Sequence, residues 1–343
     1  MWALARVPNG ICGSRIMKAW WLAQLLIVFI AGETLAIDKS AKAHRIVLLG
    51  IGNSDGIIPP VRGLYHGLEE AGYITGRNLK IHHIRGGNEV QLRDALKATI
   101  RQRVEVIVTN SAVETVLAKE VTSEIPIVFA PAVDPVGHGF VKSLARPESN
   151  LTGLSYTRDI EDNGKQLAVF KQIVPALRRV TLFYDGRRTA RTFPAVLSSI
   201  ARVARRLDIQ LAQNSVESSS DAVQIFERVP RGTTDGVFLV CSAVFRGMKL
   251  LSDTVANKKV PLFSCSATQV AEEGALMTYA PDLYYMGYRG AWYVDRILKG
   301  AKPAQLPVET PTRFELIINL TSAQKIGLKI PPEALMLADK VFQ

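Results

Sequence analysis

The chain has 343 residues, 48% of them hydrophobic, and a formal net charge of +11. It is long enough for two domains of ordinary size and apolar enough to give each a core. The positive charge is scattered: the densest patches, Arg187-Arg188 with Arg191 and Arg202 with Arg205-Arg206, carry no interleaved aromatic residues, which excludes a nucleic-acid platform.

Residues 20–31, WWLAQLLIVFIA, form an apolar run too short to span a bilayer, which needs about 20 residues. Lys18 precedes it and Thr34-Leu35-Ala36 follows, the pattern of a secretory signal cleaved after Ala36. Residues 1–36 are therefore expected to be removed, with Met17 as the expected true start and the periplasm as the destination. A retained amino-terminal anchor is the alternative.

His44–Gly50 reads as a buried strand, Val61–Gly72 as an amphipathic helix and Leu79–Ile84 as the next strand, a βαβ unit. Gly50-x-Gly52 hints at a dinucleotide loop. Asp55 stands where the third glycine belongs, however, and no acidic residue ends the second strand, so no cofactor is expected. Asn53 and Ser54 in that loop are candidate ligand contacts or simple turn residues. His82 and His83 are neighbours in a strand and face opposite ways, so they share no metal. Asn88–Arg103 is a second helix and Val104–Thr109 a third strand. Asn110 or Ser111 then caps a new helix, whose first N–H groups suit a carboxylate, although capping alone also explains the serine.

Ile125–Ala130 is a continuous apolar run of the kind that fills a parallel strand buried on both faces. The run is expected to stop at Pro131-Ala132-Val133-Asp134-Pro135, where two prolines oppose both strand and helix. Ala132 and Asp134 would then sit in a stiff loop beyond a strand's carboxyl end, where ligands of open α/β sheets bind. Asp134 is equally a turn opener.

After the strand Leu151–Tyr156 the pattern restarts. Helices are expected at 160–177, 193–207, 220–229 and 250–258, with strands at 180–184, 209–216, 236–240, 260–264 and 275–279. The strand ends carry Asp185, Ser242, Ser266, Tyr279 and Asp282. Cys241 and Cys265 are expected as two half-buried free thiols; a disulfide is the alternative if the strand ends adjoin. Helix 283–299 carries Tyr284, Tyr288, Trp292 and Tyr293 at core-packing spacing. A proline-rich connector at 301–311, a strand at 314–319, a helix at 321–327 and a last short helix complete the chain. There is no GxSxG, P-loop, HExxH or paired-carboxylate signature, so no enzyme is expected.

Three stretches carry a family likeness: RGLYHGLEEAGYITGRNLKI, IPIVFAPAVDPVGHGFVKSLARPESNLTGLS and YVDRILKGAKPAQLPVETPTRFELIINLTSAQKIGLKIPPEAL. With them the chain resembles the ABC-transporter substrate-binding proteins of the family that includes tryptophan- and tyrosine-binding members. Ala280 stands where that family usually has glycine. The resemblance implies a type 1 periplasmic binding protein: two Rossmann-like α/β lobes with parallel sheets joined by a hinge. The lobes would be 44–155, plus the helix at 283–300, and 157–280; the extension 301–343 is unassigned. A monomer would capture a small solute, an amino acid or similar, in the cleft and pass it to a membrane permease. Ser111 and its helix amides would take the carboxylate and Asp134 the amine. Asn53, Ser54, Asn110, Ala132, Asp185, Ser242, Ser266, Tyr279 and Asp282 complete the candidate set. A periplasmic sensing module is the alternative, and a two-lobe Rossmann enzyme a more distant one.

Overall fold

The computed structural model describes residues 43–51, 58–86, 88–186 and 193–343. The expected signal segment, Asn53, Ser54, Arg187, Arg188 and Arg191 lie outside the described residues.

Two sheets organise the chain. The first has the order β2-β1-β3-β4-β5 and is parallel throughout: β1 His44–Ile51, β2 Leu79–Gly86, β3 Val106–Thr109, β4 Ile127–Ala132 and β5 Leu151–Ser155. Within its central strands, residues 46–49, 106–108 and 127–129 are apolar at every position because both faces are covered. Ile46, Leu48, Val106, Val108 and Val128 pack on one side with helices α1 (Pro59–Glu70) and α9 (Leu283–Leu298). Val47, Leu49, Ile107, Ile127 and Phe129 pack on the other with α2 (Glu89–Ile100) and α3 (Ala112–Val121). The alternation follows the two-residue period of a strand.

The second sheet has the order β12-β11-β10-β9-β8-β6-β7. It comprises β6 Arg179–Asp185, β7 Gln210–Val216, β8 Gly236–Leu239, β9 Leu262–Ser264, β10 Met277–Ala280, β11 Glu315–Asn319 and β12 Lys340–Phe342. Only the β10–β11 pair is antiparallel. Leu182, Phe238 and Phe263 face α4 (Asp162–Ile173) and α5 (Phe193–Arg206). Phe183, Val237 and Leu262 face α6 (Ser219–Arg228) and α7 (Lys249–Asn257).

The chain passes between the sheets three times: after β5, between β10 and α9, and between Glu309, which bridges Leu154, and β11. The sequence points to the first two passages. The third follows from the connector, which is fixed to the first lobe where Thr152 Oγ1 donates to Leu306 O and Val308 N to Leu144 O, both at 2.7 Å.

Several expectations are corrected. β4 does not stop at Ala130 but runs through Pro131 to Ala132, whose carbonyl accepts the Tyr156 N–H at 2.9 Å. The register shifts between Phe129 and Ala132, so the missing proline N–H falls at an irregularity of the ladder. Ala132 is thereby buried in a strand. Cys241 and Cys265 are joined as a disulfide, not free thiols, with Cα atoms 5.2 Å apart. Their strands β8 and β9 are parallel neighbours, so the two carboxyl ends emerge side by side. Of the five aromatic residues on α9, Tyr293 is buried, but Tyr284 is 38%, Tyr285 56% and Trp292 36% exposed. Glycines supply the close contact there instead: a Cβ at Gly63 or Gly67 of α1 would collide with the α9 backbone. The short helix α8 (Ala267–Ala271) and strand β12 were not expected; each is too short to show a period.

Candidate functional site

A cavity of about 990 Å³ lies between the lobes, walled by the carboxyl ends of strands from both sheets and the helix starts that follow them. That placement is the general one for ligands of open α/β sheets.

The first lobe contributes the turn from β3 into α3. Ser111 is extended and its Oγ accepts the Glu114 N–H at 3.3 Å, a serine N-cap. Ala112 and Val113 line the cavity at the first two helical positions, where N–H groups have no carbonyl within the helix. Glu114, wholly buried, accepts the Asn110 N–H at 2.9 Å. Ile58, Pro59, Pro60, Val116, Leu117, Pro131 and Val133 give this wall its apolar part, Arg62, Glu89 and Glu120 add charged groups, and His138 lines it stacked on Phe140.

The second lobe presents strand ends. Asp185 at the end of β6 is 2% exposed, and its Oδ2 accepts the Ser242 hydroxyl at 2.7 Å. Ser266 caps α8, its Oγ accepting the Gln269 N–H at 3.4 Å. The Cys241–Cys265 disulfide lies directly behind these two serines and also lines the cavity. Tyr156, at the first passage between lobes, donates its hydroxyl to Cys265 O at 2.7 Å, so the hinge is tied to the disulfide. Burial pushes the Glu273 carboxyl up, although it accepts the Met248 N–H at 2.7 Å and the Gly247 N–H. It shapes the loop that carries Arg246.

Asn110, Ser111, Asp185, Ser242 and Ser266 thus share one cavity. Ala132, Asp134, Tyr279 and Asp282 are not among its described lining residues. Asp134 has a positive φ of 48°, and its Oδ1 accepts the Gly137 N–H at 2.9 Å, closing its own turn. Its Oδ2 is buried with no hydrogen-bond partner among the described residues. Asp282 caps α9, accepting the Tyr284 and Tyr285 N–H groups at 2.8 and 3.1 Å. Tyr279 packs its ring on Phe314.

Arg246 was missed by the sequence reading. It reaches across the cleft: Nη1 donates to Glu114 Oε1 at 3.0 Å, and Nη2 to Asn110 Oδ1 at 2.7 Å and to Asn110 O at 3.1 Å. No period or motif marks this arginine. Among the described residues no group of three or more His, Cys, Asp or Glu side chains could hold a metal ion.

Comparison with known proteins identifies the fold and the family. A family model described as ABC transporter substrate binding protein matches residues 46–342. A protein of Clostridioides difficile described as tyrosine-binding is 24% identical over 270 residues, 78% of this chain and 76% of that one. A crystal structure of a conserved domain protein from Vibrio cholerae O1 superposes with a TM-score of 0.79 at 24% identity, covering 88% of this chain and all of the other. The structure described as the ABC domain in complex with L-Trp from Streptococcus pneumoniae gives 0.79 at 21% identity, with the same coverage. The fold is that of a type 1 periplasmic binding protein, and the chain belongs to the family of ABC transporter substrate-binding proteins.

Proposed function

We propose that the protein captures an amino acid, or a similar small zwitterion with an apolar or aromatic side chain, and presents it to the permease of an ABC importer. In this reading it is exported through its amino-terminal signal, works in the periplasm and acts as a monomer. The observation that carries the ligand class is the polarity of the two walls. On one, Ser111 and the first amides of α3 offer the positive end of a ten-residue helix to a carboxylate. On the other, the buried Asp185 carboxylate offers a partner to an amine. The apolar residues between them suit a hydrocarbon or aromatic side chain.

The amine partner is thus Asp185 and not Asp134, whose carboxylate is turned to its own loop. Because the two charge partners belong to different lobes, a zwitterion gains both only when the lobes close, which links capture to closure. The two similar proteins described with tyrosine and L-Trp support an aromatic amino acid.

A thermal-shift panel of the twenty amino acids, sugars and polyols tests the reading. A ligand at 100 times its Kd stabilises the folded state by about 2.7 kcal/mol, a shift of several degrees. Stabilisation by one or a few amino acids is expected. Stabilisation by sugars or polyols alone would overturn the ligand class while leaving the solute-binding family intact.

A further inference from the structure

We propose that Arg246 is a cross-lobe latch: its guanidinium closes the cleft by gripping Asn110 and Glu114 of the opposite lobe, and the same contacts set the turn that leads into α3. Arg246 is a positioning residue in this scheme, and the proposal rests on the reading of the interlobe cleft as the solute site.

Arg246 moves with the second lobe. The loop that carries it is fixed there by the Met248 N–H donating to Glu273, and by Gln269 Nε2 donating to Phe245 O, both at 2.7 Å. Its partners move with the first lobe, on the β3–α3 turn. Three hydrogen bonds, one of them an ion pair, therefore join the two bodies away from the hinge.

The chemistry at the far end of the latch is specific. Glu114 is fully buried while Arg246 is one-third exposed. A buried carboxylate gains from a cationic partner, and lobe 2 brings one in Arg246. Glu114 also accepts the Asn110 N–H, and its own N–H caps onto Ser111. Arg246 takes the Asn110 carbonyl and side-chain oxygens together. Closure thus pins both residues that precede α3. With Glu114 neutralised, the helix start keeps its attraction for a second anion. A planar fork is needed to reach three oxygens on two residues, a geometry that suits arginine and not lysine.

The test uses no solute, so its failure is distinct from failure of the proposed ligand class. Spin labels are placed at Val90→Cys and Leu250→Cys, 62% and 65% exposed and on opposite lobes, one residue after the cavity-lining Glu89 and three after the cavity-lining Gly247. The interlobe distance distribution is measured in the otherwise wild-type protein and with Arg246→Ala or Arg246→Lys, after circular dichroism and melting confirm folding. The latch predicts a short-distance population in the parent that shrinks as salt is raised to about 1 M, where the screening length is about 3 Å. It predicts loss of most of that population, and of its salt response, in the alanine variant, with an intermediate distribution in the lysine variant. Parent and alanine variant sharing one distribution and one salt response would overturn the proposal, as would a lysine variant no closer to the parent than alanine.

Discussion

Asp185 and Asp134 are both strand-end acids, and the structure gives them different surroundings. Asp185 lines the cavity beside Ser242, whereas Asp134 closes a turn on Gly137. Asp185→Asn should weaken binding of the proposed amino-acid ligand by about 10- to 100-fold, the loss expected for one charged hydrogen bond, as titration calorimetry would measure. Asp134→Ala should leave affinity near the parent's and lower unfolding free energy by about 1 kcal/mol through the lost turn bond. The reverse pattern would restore Asp134 as the amine partner. Residue-level legibility was uneven for a physical reason. Ser111 could be read because a serine just before a helical period has a local partner, three residues on, whereas Ser266 was read as a strand-end residue and its cap was not, because α8 is too short to show a period. The direction of Asp134 could not, since an acid before Pro-x-Gly can face the cleft or its own loop. Arg246 could not be found at all: its partners lie 132 and 136 positions away.

At the scale of elements, the buried strands were legible because parallel strands covered on both faces carry near-continuous apolar runs, as in residues 106–108 and 127–129. The pairing of elements was not. Gly63 and Gly67 of α1 admit α9, which arrives more than 200 residues later, and nothing local to α1 announces that partner. Gly63→Ala would push a Cβ into the Tyr284 carbonyl and should cost about 1–3 kcal/mol in urea unfolding. An unchanged midpoint would show that the crossing relaxes freely. The β8–β9 disulfide likewise depends on sheet order, which the spacing of Cys241 and Cys265 does not encode. Replacing both cysteines with alanine should lower stability by about 2–4 kcal/mol, and reductant should lower the melting temperature of the parent only.

The starts of β6 and β8 are joined by Asp235. The Arg179 side chain holds its carboxyl below the ordinary range, against partial burial and with help from the Arg179 and Arg178 N–H groups. A lowered folded pKa stabilises the fold above the unfolded value of about 3.9, and that contribution is lost as pH falls through the lowered one. Asp235→Asn should therefore show a constant melting deficit between about pH 5 and 8 that narrows as pH drops below about 4. A deficit that does not narrow would deny the pair its role.

For the whole molecule, two lobes are joined by three passages with the cleft between them, and in the proposed function capture is a matter of closure. The measurement that tests this most directly is calorimetric binding of L-tryptophan beside tryptamine, which lacks the carboxylate, and indole-3-propionate, which lacks the amine. With the charge partners on opposite lobes, the amino acid should bind and each analogue should lose at least about 10-fold in affinity, because each leaves one wall unpaired. Binding of either analogue as tightly as the amino acid would contradict the two-walled site, and binding of none of the three would refute the aromatic zwitterion as its ligand.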